Sequence, residues 1–163
     1  MRAPYARQSC TKRMLRMEKR MLTASRDTAQ AMSQENVEVI RRMFERARAR
    51  DVQGMIELVS DDVACQPGDD QPEAEGFRGS RALADYFRGW LETFETYEIE
   101  VGEYLDCGEY VVAVGRVTGH GRSSGAVVSA DDAWLYRLRD GKVVEYRECG
   151  TKARALEAAG VTE

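Results

Sequence analysis

The amino-acid sequence predicts an α+β fold, in which about three helices pack on a curved, mostly antiparallel sheet of about four to six strands. Two observations carry this prediction. Between residues 33 and 94, apolar residues recur mostly at three- and four-residue steps, as in amphipathic helices. From residue 97 the period changes to two, as Tyr97, Ile99 and Val101 alternate with glutamates in the manner of a half-buried strand. A helical layer over a curled sheet encloses a cone-shaped pocket.

Length and composition are those of one domain. A chain of 163 residues with 43% apolar side chains can build one hydrophobic core. Its longest apolar runs, such as residues 110–114, fall well short of the roughly 18 to 20 residues that a membrane helix requires. We therefore expect a soluble, cytoplasmic protein without a membrane span.

The net charge of −4 is distributed unevenly along the chain. Residues 1–32 contain eight basic and two acidic residues, a net charge of +6, so residues 33–163 carry a net charge of −10. An acidic domain without a basic stripe is not typical of nucleic-acid binding. We therefore expect no nucleic-acid partner.

The charge change at residue 32 predicts a boundary between a basic N-terminal extension, residues 1–32, and a domain over residues 33–160. Within the extension, Met14, Met17 and Met21 stand at helical spacing among basic residues, so part of it is expected to be helical. Three interpretations remain open: an unstructured extension, a helix that binds a membrane surface or an acidic partner, and a segment upstream of a translation start at Met32.

Cysteine and histidine usage predicts a protein without a metal or cofactor. The four cysteines stand at positions 10, 65, 107 and 149, without a Cys-x-x-Cys pair, so we expect buried free thiols. The single histidine, His120, excludes a metal site built from several imidazoles.

Two amphipathic helices open the predicted domain. Ser33 is the predicted N-cap of the first, whose apolar stripe comprises Val37, Ile40, Phe44 and Ala47. Asp51 is the predicted N-cap of a short second helix. Two such helices in succession are expected to pack as a hairpin.

A strand and a third helix follow. The strand covers residues 62–67 and ends at Pro67, and a polar loop over residues 68–75 comes after it. Ser80 is the predicted N-cap of the third helix. The wide apolar face of this helix indicates the roof of the core and comprises Leu83, Phe87, Trp90, Leu91 and Phe94.

The remaining sequence predicts a meander of long strands with turns near residues 106–109 and 123–125. Gly102 predicts a β-bulge in the first of these strands. Asp140-Gly141 is the strongest hairpin signal of the chain. Residues 151–159 predict a short closing helix that ends at Gly160.

This order of elements resembles the nuclear transport factor 2-like superfamily, and within it the SnoaL-like branch, which includes polyketide cyclases. The segments that carry the resemblance are SQENVEVIRRMFERARARDVQGMIELVSDDV, FRGSRALADYFRGWLETF and LRDGKVVEYREC. The resemblance implies a pocket for a small apolar or polyketide-like molecule, with cyclase, isomerase or hydrolase-type acid/base chemistry. The alternative that it leaves open is a non-catalytic homodimeric structural domain with a filled pocket.

Ketosteroid isomerase, a member of this superfamily, uses a carboxylate base together with a tyrosine and a protonated aspartic acid. The resemblance places the base at Gln66 and the tyrosine at Met43, and neither side chain can serve. The second acid falls on Trp134, or on Asp132 if the strand slips by two residues. We therefore expect isomerase chemistry of this kind to be absent.

Asp132 is the candidate catalytic residue, on the strand face that Trp134 and Tyr136 share. A three-residue turn over 123–125 would place Arg116 opposite Asp132. Two roles remain open: an ion pair with Arg116 would lower the Asp132 pKa, whereas a general base needs a pKa near the operating pH.

The other candidate pocket residues are Gln66, Trp90 and His120. Trp90, with Trp134 and Tyr136, would form either an aromatic ligand wall or ordinary core. His120 shares the strand parity of Arg116 and is either a proton shuttle or a surface residue. Asp131, one residue from Asp132, is expected to face outward.

Overall fold

The structure is a computed structural model that describes the backbone of residues 6–162 and the side chains of residues 12–162. The chain forms two compact units, one ending at Met32 and the other beginning at Ser33. Helix α1 spans Ala6–Arg48. The predicted extension therefore lies partly outside the described residues, and so does the Cys10 side chain.

Ser33 does not cap a helix, so that prediction is wrong. It lies inside α1 and is buried, with 8% of its surface exposed. The residues before it, such as Ala31 and Met32, are good helix formers and continue the helix across the position of the expected cap. In the part of the extension that is described, Met14, Met17 and Met21 are exposed on this helix.

Three short helices follow in the second unit. Helix α2, Val52–Ile56, has the predicted N-cap, since the Asp51 carboxylate accepts a hydrogen bond from the Gly54 amide at 2.9 Å. Helix α3 spans Ser80–Thr93, and its N-cap is Gly79 rather than Ser80. Gly79 has a φ of 107°, which favours glycine at this entry to the helix. Helix α4 spans Lys152–Ala158.

The sheet confirms the predicted α+β class. It contains six strands in the order β2-β1-β6-β5-β4-β3, and every neighbouring pair is antiparallel except β1 and β6. The strands are β1 Val59–Gln66, β2 Phe77–Arg78, β3 Phe94–Cys107, β4 Tyr110–Gly121, β5 Val127–Arg139 and β6 Lys142–Glu148.

Two turn and bulge predictions are confirmed. The register of β3 against β4 shifts between Val101 and Glu103, which places a bulge at Gly102. Asp140 and Gly141 have φ values of 51° and 72° and connect β5 to β6, as a tight hairpin of the predicted kind requires.

The turn between β4 and β5 is one residue longer than predicted. The Gly121 amide donates to the Ala126 carbonyl at 2.8 Å, so four residues, 122–125, close the hairpin. Arg116 therefore pairs with Asp131, and Gly115 pairs with Asp132. The longer turn shifts the register of this hairpin by one residue relative to the prediction.

The core lies on both faces of the sheet. On the inner face, α1 packs against the strands through a buried cluster that includes Ile40, Phe44, Val63 and Trp134. On the outer face, a smaller cluster includes Val112, Leu135 and Ala155 of α4. In the part of the chain that the structure describes, no helix has an apolar stretch long enough to span a membrane.

Candidate functional site

A cavity of about 260 Å³ lies on the inner face of the sheet, in the second unit. Helix α1 contributes Met43 and Phe44 to its wall, and α3 contributes Tyr86, Phe87 and Trp90. Met55 of α2 and residues 68, 70 and 71 of the loop after β1 also line it. The strands contribute Phe94, Tyr97, Ile99, Trp134, Tyr136 and Tyr146, among others. Aromatic side chains on five elements, α1, α3, β3, β5 and β6, thus surround one cavity.

Trp90 begins an aromatic stack along one wall. Its ring is nearly parallel to that of Phe94, with an interplanar angle of 5° and ring centroids 5.4 Å apart. The Phe94 ring in turn stacks on that of Tyr97, with centroids 5.6 Å apart. Because β3 begins where α3 ends, the stack passes from the helix to the strand. Trp134 packs instead against Phe44 at 5.3 Å. Trp90, Trp134 and Tyr136 all line the cavity.

Asp132 lines the same cavity from β5. Its Oδ1 atom accepts hydrogen bonds from the Ala133 amide at 2.7 Å and the Gly150 amide at 2.9 Å. Burial raises the pKa of the Asp132 carboxyl to about 6. The charges of Glu148 and Asp70 raise this pKa further, whereas the two amides oppose the shift.

Arg116 lies outside the cavity, so the ion pair with Asp132 is wrong. Its Nε atom donates to Asp131 Oδ1 at 2.8 Å, and both side chains are exposed. This contact raises the pKa of Arg116 and lowers that of Asp131. The physical reason is the four-residue turn, which moves Arg116 to the outer face beside Asp131.

His120 and Gln66 are also outside the cavity, contrary to their predicted place in the pocket. His120 shares the outer face with Arg116 and is exposed. Along β1 the side chains alternate, so Cys65 is buried in the core and Gln66 points to the other face. There its amide donates to the Ala74 carbonyl and holds the loop after β1.

Glu148 is a cavity residue that the sequence analysis missed. Its Oε1 atom accepts hydrogen bonds from the Tyr86 hydroxyl at 2.9 Å and from the Tyr146 hydroxyl. Its Oε2 atom accepts from the Gly68 amide at 3.0 Å. Burial and the charge of Glu148 raise the pKa of both tyrosines, which therefore stay protonated and donate.

An irregularity between β5 and β6 explains why Glu148 is hard to find by parity. Leu138 pairs with Val143, whereas Arg137 pairs with Glu145, so the register shifts between these pairs. Val143 and Tyr146 are consequently both in the inner core, although simple alternation would place them on opposite faces. The Asp140-Gly141 turn alone does not reveal this shift. Glu148 lies two residues after Tyr146 and so shares its strand face. This Tyr-x-Glu spacing is the feature of the sequence that could have identified Glu148.

The described residues offer no alternative chemistry elsewhere in the site. Cys65 is buried, and burial raises the pKa of its thiol to about 12, which removes it as a nucleophile. Cys65, Cys107 and Cys149 are free thiols, and Cys65 and Cys149 are buried. Within the described residues, no group of three His, Cys, Asp or Glu side chains is placed to hold a metal ion.

Residues 40–146 match the family model described as SnoaL-like domain. The chain belongs to the SnoaL-like domain family. This SnoaL-like domain has the nuclear transport factor 2-like fold that the sequence predicts, because its solved neighbours share it. Among curated proteins, no sequence matches the chain.

Two bacterial structures illustrate the similarity. An NTF2-like protein from Burkholderia xenovorans LB400 is 26% identical, with a TM-score of 0.62, over 77% of this SnoaL-like chain and 96% of its own. A protein from Jannaschia sp. CCS1 described as a SnoaL-like polyketide cyclase is 24% identical, with a TM-score of 0.64. The similarity covers 77% of this chain and 91% of the Jannaschia chain.

A third neighbour was crystallised with a ligand. It is a Mycobacterium tuberculosis protein in complex with estradiol-17beta-hemisuccinate. It is 15% identical to this SnoaL-like chain, with a TM-score of 0.62, over 74% of this chain and 96% of its own. At this identity the similarity shows the fold alone.

Proposed function

We propose that this SnoaL-like protein binds a small apolar, polyketide-like molecule in the inner cavity and catalyses a proton transfer on it. The observation that carries the proposal is Asp132, whose carboxyl has a pKa raised to about 6 and lines a cavity walled by aromatic side chains. A general base works best when its pKa lies near the operating pH. Asp132 meets this condition because it is half-buried and lacks a cationic partner.

Asp132 is oriented for this role. The two amides that bind Oδ1 fix the carboxylate, and Oδ2 makes no hydrogen bond among residues 12–162. In the proposed step, Oδ2 takes a proton from a carbon next to a carbonyl group of the ligand. The electron pair of the broken C–H bond moves to the carbonyl oxygen, where negative charge develops.

Tyr97 is the proposed donor to that oxygen. It lines the cavity, and its hydroxyl makes no hydrogen bond within residues 12–162. Burial, together with the charges of Glu148 and Asp132, raises the pKa of Tyr97, so the hydroxyl keeps its proton at neutral pH. A protonated hydroxyl can donate a hydrogen bond to a developing oxyanion.

The ligands named for solved neighbours support a ligand in the cavity. One neighbour is in complex with estradiol-17beta-hemisuccinate, and another, TerC, was co-crystallised with polyporic acid. The open volume of about 260 Å³ disfavours the alternative of a domain whose pocket is filled by side chains. We also propose that the protein is a homodimer and lies in the cytoplasm. Sedimentation velocity tests the homodimer.

The test of the proposed function has a binding and a catalytic part. Trp90 and Trp134 line the cavity, so apolar aromatic ketones that bind should quench tryptophan fluorescence. In deuterated buffer, the protein should exchange the acidic C–H protons of bound ketones, and Asp132→Asn should abolish this exchange. Arg116→Ala, on the outer face, is the matched control and should exchange normally. Absence of quenching across a broad panel would refute the proposal.

A further inference from the structure

The charged side chains that line the cavity all have one sign. Asp70, Asp131, Asp132 and Glu148 are on its wall, and no lysine, arginine or histidine is among the described residues that line it. The Asp131 carboxylate pairs with Arg116 on the outer face, which leaves Asp70, Asp132 and Glu148. Nor does any ion pair within the described part of the chain involve these three carboxylates. Asp70 is exposed, whereas Asp132 and Glu148 are half-buried, and a carboxylate that is partly removed from water gains from a cationic partner. The cavity therefore favours a ligand that supplies positive charge.

The hydrogen bonds around Glu148 make this end of the cavity rich in acceptors. Tyr86 and Tyr146 use their hydroxyl protons on Oε1 and so present oxygen lone pairs to other groups. An ionised carboxylate has about four acceptor positions. In Glu148 the two tyrosine hydroxyls occupy two of them, and the Gly68 amide occupies another. One position remains for a donor from the ligand.

Tyr136 is a second polar group that points to a ligand. Only 3% of its surface is exposed, it lines the cavity, and its hydroxyl makes no hydrogen bond within residues 12–162. Among the described residues, the fully buried side-chain atoms without a hydrogen-bond partner belong to Ser60, Arg137 and Arg147, so the Tyr136 hydroxyl borders open space in the cavity. Because burial and the charges of Glu148 and Asp132 raise the pKa of Tyr136, its oxygen stays neutral and accepts from a donor without repelling it.

The aromatic walls favour a cation as well. The faces of aromatic rings carry negative potential and attract ammonium groups within about 6 Å of the ring centre. The stack of Trp90, Phe94 and Tyr97 and the ring of Trp134 surround the same volume as the carboxylates. An apolar ring body fits these walls, and a positive head group fits the acceptors.

We propose that the ligand of this cavity is an organic cation, in which a protonated amine is attached to an apolar ring body. The ammonium group lies at Glu148 and donates to its free acceptor position and to Tyr136. The ring body lies against the stack of Trp90, Phe94 and Tyr97. This inference rests on the proposed ligand function and adds a protonated amine to the apolar body of the ligand proposed there.

The test compares three ligands that share one ring body. They are 2-(1-naphthyl)ethylamine, 2-(1-naphthyl)ethanol and 1-naphthylacetate, titrated into the full chain by calorimetry at about pH 8, where the amine is protonated and the acid ionised. We expect the amine to bind about tenfold more tightly than the alcohol. The carboxylate should bind most weakly, because it is repelled by three acidic side chains.

Variants test whether the cavity carboxylates cause the preference for the amine over the alcohol. Glu148→Gln and Asp132→Asn each remove a cavity charge and should reduce the ratio of amine to alcohol affinity. Glu98→Gln removes the same charge from an exposed position outside the cavity and should leave the ratio unchanged. If Glu148→Gln does not fold, Asp132→Asn and the ligand series still decide the question.

The outcomes separate this inference from the proposed function. Equal affinity for the three ligands, or a preference for the carboxylate, would overturn the cation inference and leave ligand binding intact. A loss of the amine preference in Glu98→Gln would also overturn it, because the effect would then be a general one of net charge. Binding of none of the three, together with no fluorescence quenching, would overturn both proposals.

Discussion

Asp132 connects the chemistry of the cavity to the stability of the domain. A raised pKa means that the folded protein holds this proton more tightly than the unfolded chain does. The stabilising contribution of Asp132 is then fully present below its ordinary pKa of 3.8 and is lost as the pH rises through about 6. The ionised form needed for a base is thus the form that stabilises the fold less.

Asp132→Asn should remove this dependence. Asparagine keeps an oxygen for the Ala133 and Gly150 amides but has no charge to desolvate. We expect the stability of the variant relative to the native protein to increase between about pH 4 and pH 7, as measured by urea unfolding at several pH values. If the variant instead loses relative stability as the pH rises, the Asp132 pKa is lowered, as an ion pair would require.

The inward place of Asp132 was predictable from the sequence, whereas its partner was not. Trp134, Tyr136 and Asp132 alternate with outward residues, and alternation is independent of the neighbouring strand. The choice between Asp131 and Asp132 as the partner of Arg116 depends on the length of the turn. Ser, Gly and Arg at residues 122–125 are compatible with turns of three or four residues, so local sequence does not decide it.

Among the elements, strands β3 and β4 approach each other closely at two glycines of β4. A Cβ atom on Gly115 would lie 2.2 Å from the Glu100 carbonyl oxygen, which is backbone and cannot move away. A Cβ atom on Gly119 would lie 2.7 Å from the ring of Phe94, a side chain that can shift. Both glycines are therefore needed for the close approach of the strands. The neighbour of Gly115 is fixed backbone, whereas the neighbour of Gly119 is a side chain that can move.

Alanine at these two positions should have different effects. Gly115→Ala forces the strands apart and should reduce the free energy of unfolding by about 1 to 3 kcal/mol. Gly119→Ala should destabilise less but should displace Phe94 from its stack with Trp90 and so weaken ligand binding. Urea unfolding and fluorescence quenching measure the two effects. Gly89→Ala is the control, since a Cβ atom there meets nothing within 4 Å.

Helix ends show a similar division between what the sequence reveals and what it conceals. Asp51 was predictable as an N-cap because its carboxylate binds an amide three residues ahead, which is a local interaction. Ser33 carries the same kind of local signal, yet α1 runs through it. The helix-forming residues on both sides of Ser33 outweigh the preference of one capping side chain. An N-cap residue lies where the backbone enters a helix, and at Ser33 the backbone is already helical.

At the scale of the whole molecule, the order of elements was the most predictable feature. Helices, a strand ended by Pro67 and three hairpins leave few ways to bury one face of each element. The parallel contact between β1 and β6 joins residues about 80 positions apart and has no local signature. It brings β6, with Tyr146 and Glu148, into the centre of the sheet, and the cavity depends on it.

The domain over residues 33–163 should fold without the preceding residues. Its compact unit begins at Ser33, and the core residues Ile40 and Phe44 of α1 lie within it. Upstream, Met14, Met17 and Met21 are exposed, so their removal exposes little new apolar surface. A chain that starts at Met32 should keep the urea midpoint and the ligand quenching of the full chain. It should also lose the +6 charge of the extension.

A second truncation makes this prediction discriminating. A chain that starts after Phe44 lacks Ile40, which is fully buried, together with Phe44, which packs on Trp134. Deletion of buried side chains of this size costs about 2 to 5 kcal/mol each, so this shorter chain should not fold. Circular dichroism and urea unfolding distinguish the two chains. If the chain from Met32 also fails to fold, residues before Ser33 belong to the folding unit, and the boundary inferred from charge and compactness is wrong.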